Sequence, residues 1–181
     1  MFMQKRFFQL GAFAALMILA GLTACEKVND LLRFKINNET RFTVPSVIGL
    51  NIPTPLPTPD VTTNASQTFK NNNTDIKKVK DIRLELLVLS ITNPAGATFA
   101  PVKSVRLYIS APGVEEKLLA SKENIPTDVG STLSLDVTGE KMDDFVKRES
   151  FQVRTEVVTR QAVFQDTDVT AKMTFGVTAN L

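Results

Sequence analysis

One cysteine, no histidine and a scatter of carboxylates bound the chemistry open to this chain of 181 residues. Without histidine there is no His-based catalytic triad and none of the common His zinc sites. The only thiol is Cys25, preceded by Leu22-Thr23-Ala24, and it has no imidazole to activate it. None of the serines has a lysine three positions on, so the Ser-x-x-Lys nucleophile pattern is absent. Glycines 49, 96, 113, 130, 139 and 176 never approach the spacing of a phosphate-cradling loop. Carboxylate chemistry is what remains. Asp166 and Asp168 flank Thr167, and Asp143 precedes Asp144. Such pairs can offer oxygen ligands to calcium, or the acid and base of glycoside hydrolysis. The competing reading is structural: a turn that uses Asp for local hydrogen bonds, and the acidic first turn of a helix. No cofactor is expected.

The setting of Cys25 is more informative than its reactivity. Lys5 and Arg6 are the only charges ahead of an apolar run from Leu10 to Gly21. That is the charged and then apolar order of a secretory signal, and the run is shorter than the roughly 20 residues a membrane span needs. Leu22-Thr23-Ala24-Cys25 then resembles the lipobox of bacterial lipoproteins. The resemblance implies that the thiol takes up a diacylglyceryl group, that residues 1–24 are removed, and that the new amine is acylated. Several acyl chains on one residue make a stable anchor where one alone is marginal. Glu26 stands where an Asp retains many lipoproteins at the inner membrane, which by analogy favours the outer membrane. The alternatives are a buried structural cysteine and an ordinary signal peptide cut near Ala24.

Loss of residues 1–24 leaves 157 residues with 19 basic and 19 acidic side chains, because Lys5 and Arg6 depart with the signal. A single domain of balanced charge is expected, with no nucleic-acid footprint. The one local basic run, Lys77-Lys78-Val79-Lys80, reads as a solvated turn or the start of a strand. A short tether, residues 25–30, is expected to hold a domain of residues 31–181 close to the bilayer.

The elements that must position any site are strands. "TLSLDVT" (132–138), "SFQVRTEVVT" (150–159), "VTAKMTFGVTAN" (169–180) and "VKSVRLYIS" (102–110) alternate apolar and polar with period two. "DIRLELLVLSI" (81–91) alternates and then turns apolar on both faces from Leu86 to Leu89, predicting a central strand covered on both sides. "LLRFKI" and "RFTV", split by a turn at "NNE", and "VTTNASQTF" (61–69) are further strand candidates. "GEKMDDFVKR" places Met142, Phe145 and Val146 at helical spacing. Residues 45–59 hold five prolines and no helix, and are expected to form an ordered, extended loop. Its apolar side chains Val47, Ile48, Leu50, Ile52 and Leu56 either lap the core or offer an exposed interaction surface. The sum is an all-β, antiparallel two-sheet β-sandwich, immunoglobulin-like in layout, with one short helix. With no Trp and one Cys, it lacks the Cys-Trp-Cys core of antibody domains.

Two wider resemblances rest on longer stretches. "LSITNPAGATFAPVKSVRLYIS" with "LASKENIPTDVGSTLSLDVTG", and "FTVPSVIGLNIPTP" with "TPDVTTNASQTFKNNNT", resemble a group of uncharacterised bacterial envelope lipoproteins. The Asn93-Pro94 turn and the strand after it resemble the water-stress β-sandwich of late-embryogenesis-abundant proteins. Neither brings catalytic residues. The lipobox and the missing catalytic inventory together lead to the expectation of a lipid-anchored, non-catalytic accessory subunit, bound to the membrane through acylated Cys25 and to a protein partner in the envelope. A carrier of an apolar ligand between the sheets is the alternative, which needs a pocket of roughly 300 Å³ or more. A carbohydrate-active or calcium-dependent protein is the third.

Overall fold

The computed structural model describes residues 33–46, 49–56 and 58–179. The signal 1–24, the lipobox residues Leu22, Thr23 and Ala24, Cys25, the tether 25–30, and Val47 and Ile48 lie outside the described residues. The chain divides into a leading unit, Met1–Arg33 with Leu181, and a body, Phe34–Asn180.

The order of elements is β1 (Arg33–Val44), β2 (Thr54–Leu56), β3 (Val61–Thr62), α1 (Ala65–Asn71), β4 (Val79–Asn93), β5 (Val102–Ala111), β6 (Val114–Lys122), β7 (Thr132–Ser134), β8 (Asp136–Val137), α2 (Asp143–Val146), β9 (Ser150–Thr159) and β10 (Thr167–Ala179). They form a two-sheet antiparallel sandwich. One sheet runs β1-β10-β4-β7; the other runs β2-β9-β5-β6-β8, with β3 also paired to β9. The inward set of each strand is the apolar one its alternation predicts. Leu107 and Ile109 of β5 and Phe151, Val153 and Val157 of β9 are buried against Met173, Phe175 and Val177 of β10. The rings of Phe151 and Phe175 meet edge to face at 6.1 Å and join the two layers. Met142, Phe145 and Val146 are buried, so α2 closes the core as its spacing predicts.

Four expectations need correction. The predicted turn at "NNE" does not occur, and β1 is one continuous strand of 12 residues. Asn38 and Thr40 keep the inward phase of Ile36, Phe42 and Val44, and their donor groups find acceptors across the sandwich, while Asn38 Oδ1 is buried without a donor among the described residues. Asn38 Nδ2 donates to the carbonyls of Thr62 (3.0 Å) and Thr63 (3.4 Å), and Thr40 Oγ1 to that of Pro59 (3.5 Å).

"VTTNASQTF" is not one strand but β3 followed by α1. Asn64 takes a left-handed conformation (φ 49°), the Thr63 hydroxyl accepts the Ala65 N–H at 3.2 Å, and Ala65 and Phe69 bury one helical face. Phe69 then meets the Phe34 ring at 6.0 Å.

"TLSLDVT" is split between the sheets. Leu133 pairs with Leu89 of β4, the Leu135 N–H still reaches the Leu87 carbonyl at 3.0 Å, and Val137 pairs with Ala120 of β6.

β4 is central in its sheet but not covered on both faces. Thr174 pairs with Leu86 and Phe175 with Leu84, leaving Glu85 as the extra residue of a β-bulge. The bulge shifts the phase by one, so Leu84, Leu87 and Leu89 all point inward while Leu86 is exposed. Two further bulges leave Asp81 and Thr92 as the extra residues, both again on β4.

Because the strands share one axis, their connections gather at two ends. The base holds the start of β1, the end of β10, both helices and the β5–β6 turn at Pro112-Gly113. The crown holds residues 45–46 and 49–53 and the segments 94–101, 123–131 and 160–166.

Candidate functional site

Among the described residues, the crown carries an open cleft of about 800 Å³ lined by Asn51, Lys103, Asn124, Ile125, Pro126, Thr127, Asp128 and Arg160. Its organiser is Ile125, whose side chain is buried at 1% exposure. The Ile125 N–H donates to the Lys103 carbonyl at 3.0 Å, and its own carbonyl accepts from Arg160 Nη2. The Arg160 N–H in turn donates to the Pro101 carbonyl at 2.8 Å. One buried residue thus brings together the start of β5 and the end of β9, and with them two cations. Neither Lys103 nor Arg160 has a carboxylate within ion-pair distance among the described residues, and the buried Arg160 Nε has no acceptor. Asn51 and Asn124 line the same cleft in left-handed conformations (φ 55° and 49°), which asparagine tolerates better than most residues.

The proline-rich segment is divided in its role. Leu50 bridges to Thr159 and the Asn51 N–H donates to the Thr159 carbonyl at 2.7 Å, fixing residues 49–51 along the end of β9. Further on, Thr54–Leu56 pairs with Val157–Thr155 as an edge strand, where Pro55 is tolerated. Leu56 laps the core at 4% exposure, whereas Leu50 and Ile52 are 49% and 60% exposed. Sequence reading missed Phe164, which projects from the β9–β10 connection at 93% exposure. The polar run Gln165-Asp166-Thr167-Asp168 directly after Phe164 was the one local signal of its exposure. Lys103, Asn124 and Arg160 were also missed. They are far apart in sequence, and only the Ile125 clamp unites them.

Asp166 and Asp168 come together, but as ties rather than as an open ligand set. Asp168 Oδ1 accepts from Thr43 Oγ1 at 2.8 Å and its Oδ2 from Asn93 Nδ2 at 3.3 Å; Asp166 Oδ1 accepts the Ser46 N–H at 2.9 Å. They hold β1 to the start of β10. Asp143 is similarly committed, to the Ile82 N–H at 3.0 Å and to Lys147 at 3.2 Å. No group of three candidate metal ligands is found among the described residues. An apolar cavity between the sheets, lined by residues such as Ile91, Phe99 and Val163, holds about 40 Å³. That is near the volume of one water and far below that of a ligand pocket.

The outer face of β9, β5 and β6 bears a chain of alternating charge. Arg154 forks onto Glu116 (2.7 and 3.1 Å) and touches Glu156 (3.5 Å); Arg106 touches Glu156 (3.3 Å) and Glu123 (2.9 Å). The Arg154 guanidinium also lies 4.1 Å from the centre of the Tyr108 ring. Hydrogen bonds from Arg154 hold the Glu116 carboxyl below the usual carboxylate range. Attraction to Glu123 holds the Arg106 guanidinium above its ordinary value, and the fork onto Glu116 does the same for Arg154. Each carboxylate here is engaged by a guanidinium. The arrangement stiffens a sheet face. Compared with protein-family models and with curated proteins, the chain matches none.

Proposed function

We propose that this protein is a lipid-anchored, non-catalytic subunit of the bacterial envelope, held by acylated Cys25 at the outer membrane and offering its crown to a protein partner. The observation that carries the reading is the separation of the two ends. The chain that follows Cys25 reaches the body at Phe34, at the base, while exposed Leu50, Ile52 and Phe164 sit at the crown. β1 alone puts about 33 Å between Phe34 and Val44 at the rise of an extended strand. The apolar tips therefore face away from the end that a tether would hold, which favours a protein partner over the anchoring bilayer as what they meet. Exposed apolar side chains gathered at one end usually mark such a contact.

Two measurements test this. Labelling cells with a tagged fatty acid should mark the wild-type chain, which should run shorter than its precursor and sediment with membranes. Cys25→Ser should take no label and keep its signal, since a hydroxyl is a far poorer nucleophile than a thiolate. A wild-type chain that is unlabelled and soluble refutes the anchor. Photo-crosslinkers at Ile52 and Phe164 should capture one protein in intact cells, and a crosslinker at exposed Lys77, at the base, should not. Equal capture from both ends refutes the crown as the contact.

A further inference from the structure

The crown cleft has a charge character of its own. The Lys103 carbonyl and the Arg160 guanidinium both bond to the Ile125 main chain, which sets the two residues along one cleft and holds the guanidinium in place before a ligand arrives. A guanidinium kept only to hold the Ile125 carbonyl need not be charged; a neutral amide would serve. Instead it lines the same cleft as Lys103, with no carboxylate partner among the described residues and with Nε–H lacking an acceptor. Asp128 is the one acidic side chain in the lining. Leu50 and Ile52 flank Asn51 on the segment that forms one wall, and both are exposed.

We propose that this cleft is an anion-recognition site that seats an acidic segment of a partner protein. A carboxylate of the segment lies against Arg160 and Lys103, and a neighbouring apolar side chain rests on Leu50 and Ile52. Asp128 and the Asn51 and Asn124 amides take main-chain groups of the same segment. Arginine suits this role because its planar fork can meet both oxygens of a carboxylate. The choice of a protein segment over a free anion rests on exposed Leu50 and Ile52, which adjoin Asn51 outside the lining and which a small anion would leave unused. It also rests on the proposed function, in which the crown faces a partner.

The test uses the full-length protein in detergent micelles, titrated with hexaglutamate and, separately, with inorganic phosphate. Side-chain NMR resonances of Lys103 and Arg160 should move with hexaglutamate, saturably and less at high salt. Arg160→Gln should weaken binding about tenfold or more, as loss of a charge-assisted hydrogen bond predicts. Because Arg160 also holds the Ile125 carbonyl, Lys103→Gln serves as a second variant that removes charge without touching that bond. It too should weaken binding severalfold while the circular dichroism spectrum stays that of the wild type. Phosphate binding as tight as hexaglutamate overturns the assignment to a protein segment, and no response to either overturns the site. An unchanged affinity in both variants does the same. In cells, the segment crosslinked from Ile52 should map to a stretch with Asp or Glu beside the crosslink; a basic or neutral stretch counts against the proposal. Fatty-acid labelling is unaffected by these outcomes, so failure of the cleft and failure of the anchor are told apart.

Discussion

Replacing Asn38 by Asp changes one atom group at the seam between the sheets, and its cost can be worked from the geometry. Asn38 is 7% exposed, and its Nδ2 gives both protons toward carbonyl oxygens, those of Thr62 and Thr63. A carboxylate there would turn two attractions into two repulsions inside a poorly solvated seam. Burial and facing oxygens both favour the protonated acid, so the folded-state pKa of the introduced carboxyl rises above its unfolded value of about 3.9. A rise of about 2 units, less than the 3 to 5 of a fully buried acid, is worth about 3 kcal/mol. The neutral acid supplies one donor where the amide had two, which adds about 1 kcal/mol at every pH. With a raised folded-state pKa, the acid's contribution is complete below about pH 3.9 and is lost as pH rises through the folded-state value. Relative to wild type, the variant should lack about 4 kcal/mol at neutral pH and only about 1 kcal/mol below pH 4. Urea unfolding at several pH values, followed by far-ultraviolet circular dichroism, measures this difference. A deficit that does not shrink on acidification would mean that the Asn38 side chain does not lie between the sheets. An Asn38→Asp variant as stable as wild type at neutral pH would refute the same point.

Two further predictions concern the outer faces. A Cβ at Gly176 would lie 2.0 Å from Glu85 Oε1, so Gly176→Val should swing the Glu85 side chain aside and break its 3.2 Å pair with Lys35. That pair is well exposed, and valine suits a strand, so the net change in urea unfolding should stay within about 1 kcal/mol. A loss of more than about 3 kcal/mol would show that something less yielding than Glu85 fills the space. Glu116→Gln should cost less than about 1 kcal/mol at neutral pH, because the Arg154 fork is more than a third exposed and is screened by solvent. Its carboxyl is held below the ordinary value by Arg154, so the contribution is present above about pH 4.5 and fades as pH falls through the lowered value. The two proteins should therefore converge in acid, and a gap that widens there would contradict the ion pair.

How much of this could be read from the chain depended on whether polarity and direction agreed. β5, β9 and β10 were legible because their inward residues are nearly all apolar, so period two sufficed. β1 was not: Asn38 and Thr40 face inward, and a local reading takes Asn-Asn-Glu for a turn because their partners lie about twenty residues away. α1 escaped because only Ala65 and Phe69 of its seven residues are buried, too short a stretch for a helical period to outweigh β-branched neighbours. In β4 the doubled apolar run was visible, but a bulge at Glu85 and a strand covered on both faces leave the same mark in sequence. The crown cleft had no signature at all, since Asn51, Lys103, Asn124 and Arg160 meet only once four connections are folded to one end. Exposed Leu50 and Ile52 were on the candidate surface from the start; buried Leu56 belonged to the core.

The placement of β1 decides how the body answers to force. Its first residue lies at the base and its last at the crown, and it is hydrogen-bonded to β10. A pull on the chain ahead of Phe34, resisted at the crown, acts along the strand axis. The rungs between β1 and β10 then share the load in shear, instead of opening one after another as in a peeled zipper. Asn38 and Thr40, joined across the sandwich to residues 59–63, act as pins against the same sliding. The strand that first feels tension is thus loaded in shear and pinned across the sandwich.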